Sequence, residues 1–440
     1  MLRRASCLAL LAAILTAAPA FALNDQRATA THTVKALDKE LNYYLKQAGG
    51  TPSALVTDLG TGETLYSVAA GTPRLPASVE KLYTTSTALF EFGPDTRFNT
   101  SVYGVGSLTA DGIWDGTLFL KGGGDPTFGS AKFNAEMYGT GATVQDLVTN
   151  LEATGIRGVD GKIVGDDSYF DALRGGPSTD YQANTITEGQ IDALSFDAGW
   201  TNANETTFQA HPTTYATEAF KTALKNAGVK LSKSTTVATG DTPSGARELA
   251  YVSSPPLSTL IELTNSSSDN YFAETLLKDI GARFGGKGST AAGAAVVRRV
   301  IKAKLGLSPR LMDGSGLSRY DRTTARQVIS LLEQMRTNPY FWNSLAIAGV
   351  RGTMQFEMLG TRAVNNCRGK TGTLHDVANL VGYCTAANGS QLAFAFLENG
   401  LTNSDWGHTT EDLMGETLAE YDGPKSTGSG SGAGSGGGGL

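Results

Sequence analysis

Between residues 97 and 250 the chain changes character, and that interruption limits the folds open to it. The stretch is rich in Gly, Thr and Asp, and apolar residues come in short β-type runs such as Thr117 to Leu120 and Lys162 to Gly165. Helical stretches near 144–153 and 217–227 separate those runs. Upstream, Val34, Leu37, Leu41, Tyr44 and Leu45 recur at helical spacing within 27–47. Thr51 to Val68 reads as two strands about a Gly60-Thr61-Gly62 turn, and a helix runs from Ala77 to Glu91 between Pro76 and Gly93. Downstream, 256–310 is helical and Ala-rich, strand signals return over 367–398, and a last helix lies near 409–421. The pattern predicts an α/β unit in two halves, 23–95 and 251–425, with a β-rich insertion over 96–250.

Charge and composition narrow the class. The 36 Lys and Arg against 42 Asp and Glu give a net charge of −6, without the concentrated basic face of a nucleic-acid binder. Apolar residues make up 40% of the chain, enough for a sizeable core and too many for disorder throughout. Residues 1–22 read as a secretory signal: Arg3 and Arg4 precede an apolar run from Leu8 to Ala18, and Ala20-Phe21-Ala22 offers small residues at the cleavage positions. Residues 426–440 hold only Ser, Thr, Gly, Ala and a final Leu, the composition of a flexible tail. No other segment approaches membrane length. The expected product is exported, to a periplasm, the cell envelope or the exterior, with no transmembrane segment after signal cleavage.

Export bears on the cysteines. Cys7 leaves with the signal, and Cys367 and Cys384 remain where disulfides persist. Residues 368–374 and 378–384 can pair about a turn at His375-Asp376, which sets Cys367 opposite Cys384. A cross-strand disulfide and two buried thiols both fit that position. His32, His211, His375 and His408 are scattered without ligand-type spacing, so no metal site and no cofactor are expected.

The chain has no G-x-S-x-G elbow. It does have Ser78-Val79-Glu80-Lys81 at the first turn of the helix that Pro76 opens. A Ser and a Lys three apart share one helix face, and a Lys amine with a lowered pKa can take the hydroxyl proton. Alone, such a pair is also what a capping Ser beside a solvated Lys looks like. Ser268-Asp269-Asn270, in a helical stretch, offers a hydroxyl and an amide. Lys370-Thr371-Gly372-Thr373 opens a strand, where a Lys can hold a carboxylate and Gly lets a substrate backbone lie against the edge. Asp166-Asp167 reads as a solvated turn, and Gly122-Gly123-Gly124-Asp125 as a tight turn rather than a phosphate cradle.

The order Ser-x-x-Lys, Ser-x-Asn, Lys-Thr-Gly resembles that of penicillin-binding proteins and serine β-lactamases. The 190 positions separating Ser78 from Ser268 exceed what a compact β-lactamase needs. With PASVEKL at 76–82, GGGDPT at 122–127, DGSGLS at 313–318 and AGVRGT at 348–353, the mature chain resembles the DacB-like (peptidase S13) D-alanyl-D-alanine carboxypeptidases/endopeptidases. These are low-molecular-mass penicillin-binding proteins. The resemblance implies a penicillin-binding/β-lactamase-like α/β (α+β) fold: an antiparallel sheet flanked by helices, split by one or two β-rich insertion domains. It implies hydrolysis of the D-Ala-D-Ala bond of peptidoglycan stem peptides, or of D-Ala cross-bridges, through an acyl-enzyme on Ser78, and acylation by β-lactams. Lys81 would be the base and Ser268 the proton relay. Asn270, Lys370, Thr371, Gly372 and Thr373 would bind substrate, and the backbone N–H groups of Ser78 and Thr373 would form the oxyanion hole. A serine β-lactamase and a non-catalytic cell-wall binding protein are the alternative readings.

Overall fold

Leu37, Leu41, Leu45 and Ala48 lie on one face of the helix Val34–Ala48 and are all buried, as their spacing requires. The computed structural model describes residues 33–423. The expected signal segment over 1–22 and the tail over 426–440 lie outside the described residues. The described chain divides into two compact units. One comprises Leu75–Arg322 with Met335–Leu345, and the other comprises residues 33–74, 323–334 and 346–423.

The second unit is built on a six-stranded antiparallel sheet in the order Ala346–Ile347, Cys367–Leu374, Val377–Thr385, Gln391–Asn399, Ser53–Asp58, Thr64–Val68. Its core joins Leu37, Leu41 and Leu45 to Val56, Phe394 and Phe396 and to Met414 and Leu418 of the helix Ser404–Glu420. Each such side chain contributes about 1.5–3 kcal/mol on burial. Ser53–Asp58 is an interior strand buried at every position rather than alternating, so both of its faces are covered. The last helix begins at Ser404, ahead of the predicted 409, because Asn403 caps it by accepting from Asp405 N and Trp406 N. The hairpin turns at His375-Asp376, its register pairs Cys367 with Cys384, and the two are joined as a disulfide.

In the first unit, all seven strands of a mixed sheet come from residues 99–253. Ile113–Lys121 pairs antiparallel with Asn99–Leu108 and parallel with both Gly158–Asp160 and Ile163–Asp166. Leu147 and Leu151 of the helix Val144–Glu152 and Phe220 and Leu224 of the helix Pro212–Asn226 share a core with Trp114 and Leu118 of the sheet. The predicted Gly122–Asp125 turn is present: Gly124 has φ +81° and Asp125 accepts from Thr127 N at 2.7 Å. The expected solvated Asp166-Asp167 turn is corrected. Asp166 ends a buried strand and pairs with Lys121 at 3.3 Å, and Asp167 pairs with Arg174 at 2.7 Å.

The Ala-rich stretch resolves into the helices Leu257–Ser266, Asn270–Phe284 and Thr290–Leu305, packed about the helix Lys81–Glu91. That helix is buried at every position from Lys81 to Leu89.

The disulfide closes a loop across a sequence separation of 17. Replacing both Cys367 and Cys384 by Ser removes that constraint on the unfolded chain. Urea unfolding of the double variant should show a loss of about 3 kcal/mol. A loss under about 0.5 kcal/mol would mean that the hairpin holds itself without the bond.

Candidate active site

Ser78 does not sit in the first turn of an α-helix as expected. Ala77–Glu80 is a turn of 3-10 helix, and the α-helix begins at Lys81. The cause lies one residue upstream. Ala77 has φ +46°, a left-handed conformation that a residue with a Cβ adopts only when its surroundings impose it. Gly316, itself at φ +85°, is packed so closely that a Cβ there would run into the Ala77 carbonyl oxygen. The Asp313–Ser318 loop therefore braces the turn that presents Ser78.

Ser78 is partly exposed, whereas Lys81 is fully buried. Lys81 Nζ donates to Ser78 Oγ at 2.8 Å, to Asn270 Oδ1 at 2.6 Å and to the Ser315 carbonyl at 2.9 Å. Burial pushes its pKa down to about 8, against the pull of Glu188, Asp269, Asp313 and Glu274. Two neutral acceptors can hold two of the three N–H groups. Once the amine is neutral, its lone pair is then directed at the Ser78 hydroxyl.

The loop that supplies the Ser315 carbonyl is held by a carboxyl that the sequence reading did not single out. Glu274 Oε1 accepts from Gly314 N at 3.0 Å, Ser315 N at 2.9 Å and Ser315 Oγ at 2.6 Å. Asp313 accepts from Gly316 N at 2.8 Å and Ser318 N at 2.7 Å. Burial raises the pKa of Glu80, Glu274 and Asp313, Glu274 to about 7. With Asp321, also raised by burial, to about 12, they form a cluster whose members oppose one another's ionisation, since several close carboxylates cannot all ionise away from water. The signal for this support is present in the DGSGLS run at 313–318.

Ser268-Asp269-Asn270 is not helical throughout, as had been expected. Ser268 lies at the junction of two helices with φ +62°. Asp269 caps the second helix by accepting from Phe272 N at 2.9 Å, and Asn270 is its first residue. Asn270 Nδ2 donates to the Ile186 carbonyl at 2.8 Å and its backbone N to Glu188 Oε2 at 3.1 Å, which fixes Oδ1 toward Lys81. The first unit thus brings Ser78, Lys81 and Asn270 together.

In the second unit, Lys370, Thr371, Gly372 and Thr373 lie in sequence on Cys367–Leu374. Ala346–Ile347 pairs with that strand only at Arg368 and Gly369, so Thr371 to Leu374 have a strand neighbour on the Val377–Thr385 side alone. Lys370 Nζ donates to the Thr371 carbonyl at 2.8 Å, and Thr371 Oγ1 to Thr353 Oγ1 at 2.9 Å. Thr373 Oγ1 lies 2.8 Å from His408 Nε2, a histidine to which the sequence reading gave no role. Among the described residues, no group of three or more His, Cys, Asp and Glu could hold a metal ion.

Residues 35–211 and 201–421 match the D-Ala-D-Ala carboxypeptidase 3 (S13) family. The chain belongs to that family. It is 29% identical to the D-alanyl-D-alanine carboxypeptidase of Actinomadura sp. (strain R39), over 85% of this chain and 82% of the relative. Its fold is similar to that of penicillin binding protein 4 from Haemophilus influenzae, with a TM-score of 0.74 at 20% identity over 87% of this chain and 99% of that one. It is also similar to the penicillin G-acylated Bd3459 endopeptidase of Bdellovibrio bacteriovorus, with a TM-score of 0.53 at 20% identity over 86% and 94%. The expected fold class holds, and so does the expected enzyme class, a serine-type D-Ala-D-Ala carboxypeptidase.

The brace behind Ser78 can be tested in this S13 enzyme. Gly316→Ala adds both a clash with Ala77 and a left-handed alanine. Acylation by a fluorescent penicillin should slow by at least about tenfold, since small displacements of a reacting group are costly. Acylation at the wild-type rate would show that the loop does not hold the turn.

Proposed function

We propose that Ser78 is the nucleophile and Lys81 its general base in hydrolysis of the D-Ala-D-Ala bond of peptidoglycan stem peptides. The observation that carries this reading is the Lys81 amine, fully buried and 2.8 Å from the Ser78 hydroxyl. Neutral Lys81 takes the hydroxyl proton as Ser78 Oγ attacks the penultimate D-Ala carbonyl. The backbone N–H groups of Ser78 and Thr373 stabilise the oxyanion, each worth about 3 kcal/mol in comparable sites. Ser268 passes the proton to the departing D-Ala amine. Asn270 orients Lys81 and the substrate amide. Water then hydrolyses the ester on Ser78, with Lys81 again the base.

Lys370 and Thr373 bind the terminal carboxylate, and Thr371 and Gly372 shape the edge along which the substrate lies. The motif order and the strand edge left open beyond Gly369 support this assignment. In this reading 23–95 and 251–425 form the catalytic domain and 96–250 the insertion, supported by a sheet whose strands all fall within 99–253. The signal-like pattern over 1–22 supports export to the periplasm or cell envelope. A β-lactam copies the dipeptide and leaves an ester on the same oxygen.

Intact-protein mass after penicillin treatment tests the nucleophile. The wild type should gain one adduct and Ser78→Ala none, and an adduct retained in Ser78→Ala would remove Ser78 from the reaction. The acylation rate tests the base. Only neutral Lys81 can accept the proton, and its neutral fraction grows as pH rises through about 8. The rate should therefore climb about tenfold per pH unit below that value and level off above it. A rate flat from pH 6 to 9 would exclude Lys81 as the titrating base.

A further inference from the structure

Behind Thr373 a hydroxyl, an imidazole and a buried carboxyl stand in line. His408 Nε2 is 2.8 Å from Thr373 Oγ1, and Nδ1 of the same ring is 3.1 Å from Glu411 Oε2, one helical turn further on. The Glu411 side chain is 2% exposed.

With a neutral His408 ring, the form its burial favours, the line has two settings. If Glu411 is ionised, it accepts Nδ1–H, and Nε2 must then accept the Thr373 hydroxyl proton. If Glu411 is protonated, it donates to Nδ1, the ring proton sits on Nε2, and Nε2–H donates to Thr373 Oγ1. Of these two, only the second leaves the Thr373 hydroxyl proton for a substrate, as does a charged ring beside an ionised Glu411, which also donates from Nε2.

The surroundings favour the second setting. Glu411 Oε1 is buried without a hydrogen-bond partner, which a neutral acid tolerates far better than a carboxylate. Other acids crowd the same place: Glu357 from the loop before the strand Cys367–Leu374, Glu398 from the Gln391–Asn399 strand, and Asp405 and Asp412 from the same helix as His408. Burial raises the Glu411 pKa well above the usual carboxyl range and lowers that of His408.

We infer that Glu411 and His408 are positioning residues that hold the Thr373 hydroxyl as a donor, making the enzyme selective for a free C-terminal carboxylate over a neutral C-terminal amide. This rests on the reading that Thr373 binds that carboxylate.

The test compares kcat and KM for a D-Ala-D-Ala-terminated peptide and its C-terminal amide. In the wild type the acid should be preferred. Glu411→Gln keeps a donor toward Nδ1 and should preserve that preference. Glu411→Leu and His408→Leu should each lower it about tenfold, through KM for the acid, with turnover of the amide within about twofold of wild type. Loss of preference in Glu411→Gln equal to that in Glu411→Leu would overturn the inference, as would unchanged preference in His408→Leu. Thr373→Val separates the two levels. If it keeps the wild-type preference, the reading of Thr373 fails and the inference falls with it. If it loses the preference while His408→Leu does not, only the inference fails.

Discussion

A lysine with no exposed surface is a liability unless its three N–H groups find partners, since an uncompensated buried charge costs several kcal/mol. Lys81 meets this constraint with one hydroxyl, one amide oxygen and one main-chain carbonyl. None of the three carries a formal charge, so the amine is held in place without being locked into its charged form. Much of the first unit serves that arrangement. The helix Asn270–Phe284 and the turn Ala77–Glu80 supply two of the partners' settings, and the Asp313–Ser318 loop supplies the third.

The carboxyls around Glu274 play a different part from ion-pair partners. Glu274 spends its Oε1 on two main-chain N–H groups and a hydroxyl, and acts on Lys81 only through space, by favouring its charged form. Its neighbours Glu80, Asp313 and Asp321 are buried closely enough to suppress one another's ionisation. The group is a scaffold for the Ser315 carbonyl.

What could be read in advance was what local periodicity encodes. The i, i+3 relation of Ser78 and Lys81, the core face of Val34–Ala48 and the pairing of Cys367 with Cys384 all follow from spacing within a few turns or one hairpin. What escaped notice depends on distant partners. The left-handed Ala77 is imposed by Gly316, 239 positions away. Asp166 is buried because Lys121 waits on the adjacent strand. His408 gains its setting from Thr373 and Glu411 together, and a lone histidine on a helix carries no such message. Ser268 differs in that its cause is local: the Asp269 cap starts a new helix immediately after it.

The hold on Asn270 has a consequence for how such a chain could be shortened. Its side-chain nitrogen is tied to the Ile186 carbonyl and its main-chain nitrogen to the Glu188 carboxylate, both contributed by residues far outside the helical core. Excising that stretch to leave a minimal protein would strip two anchors from the amide facing the amine. The large middle region is thus a structural support of the Ser78, Lys81 and Asn270 cluster as well as an appendage to it.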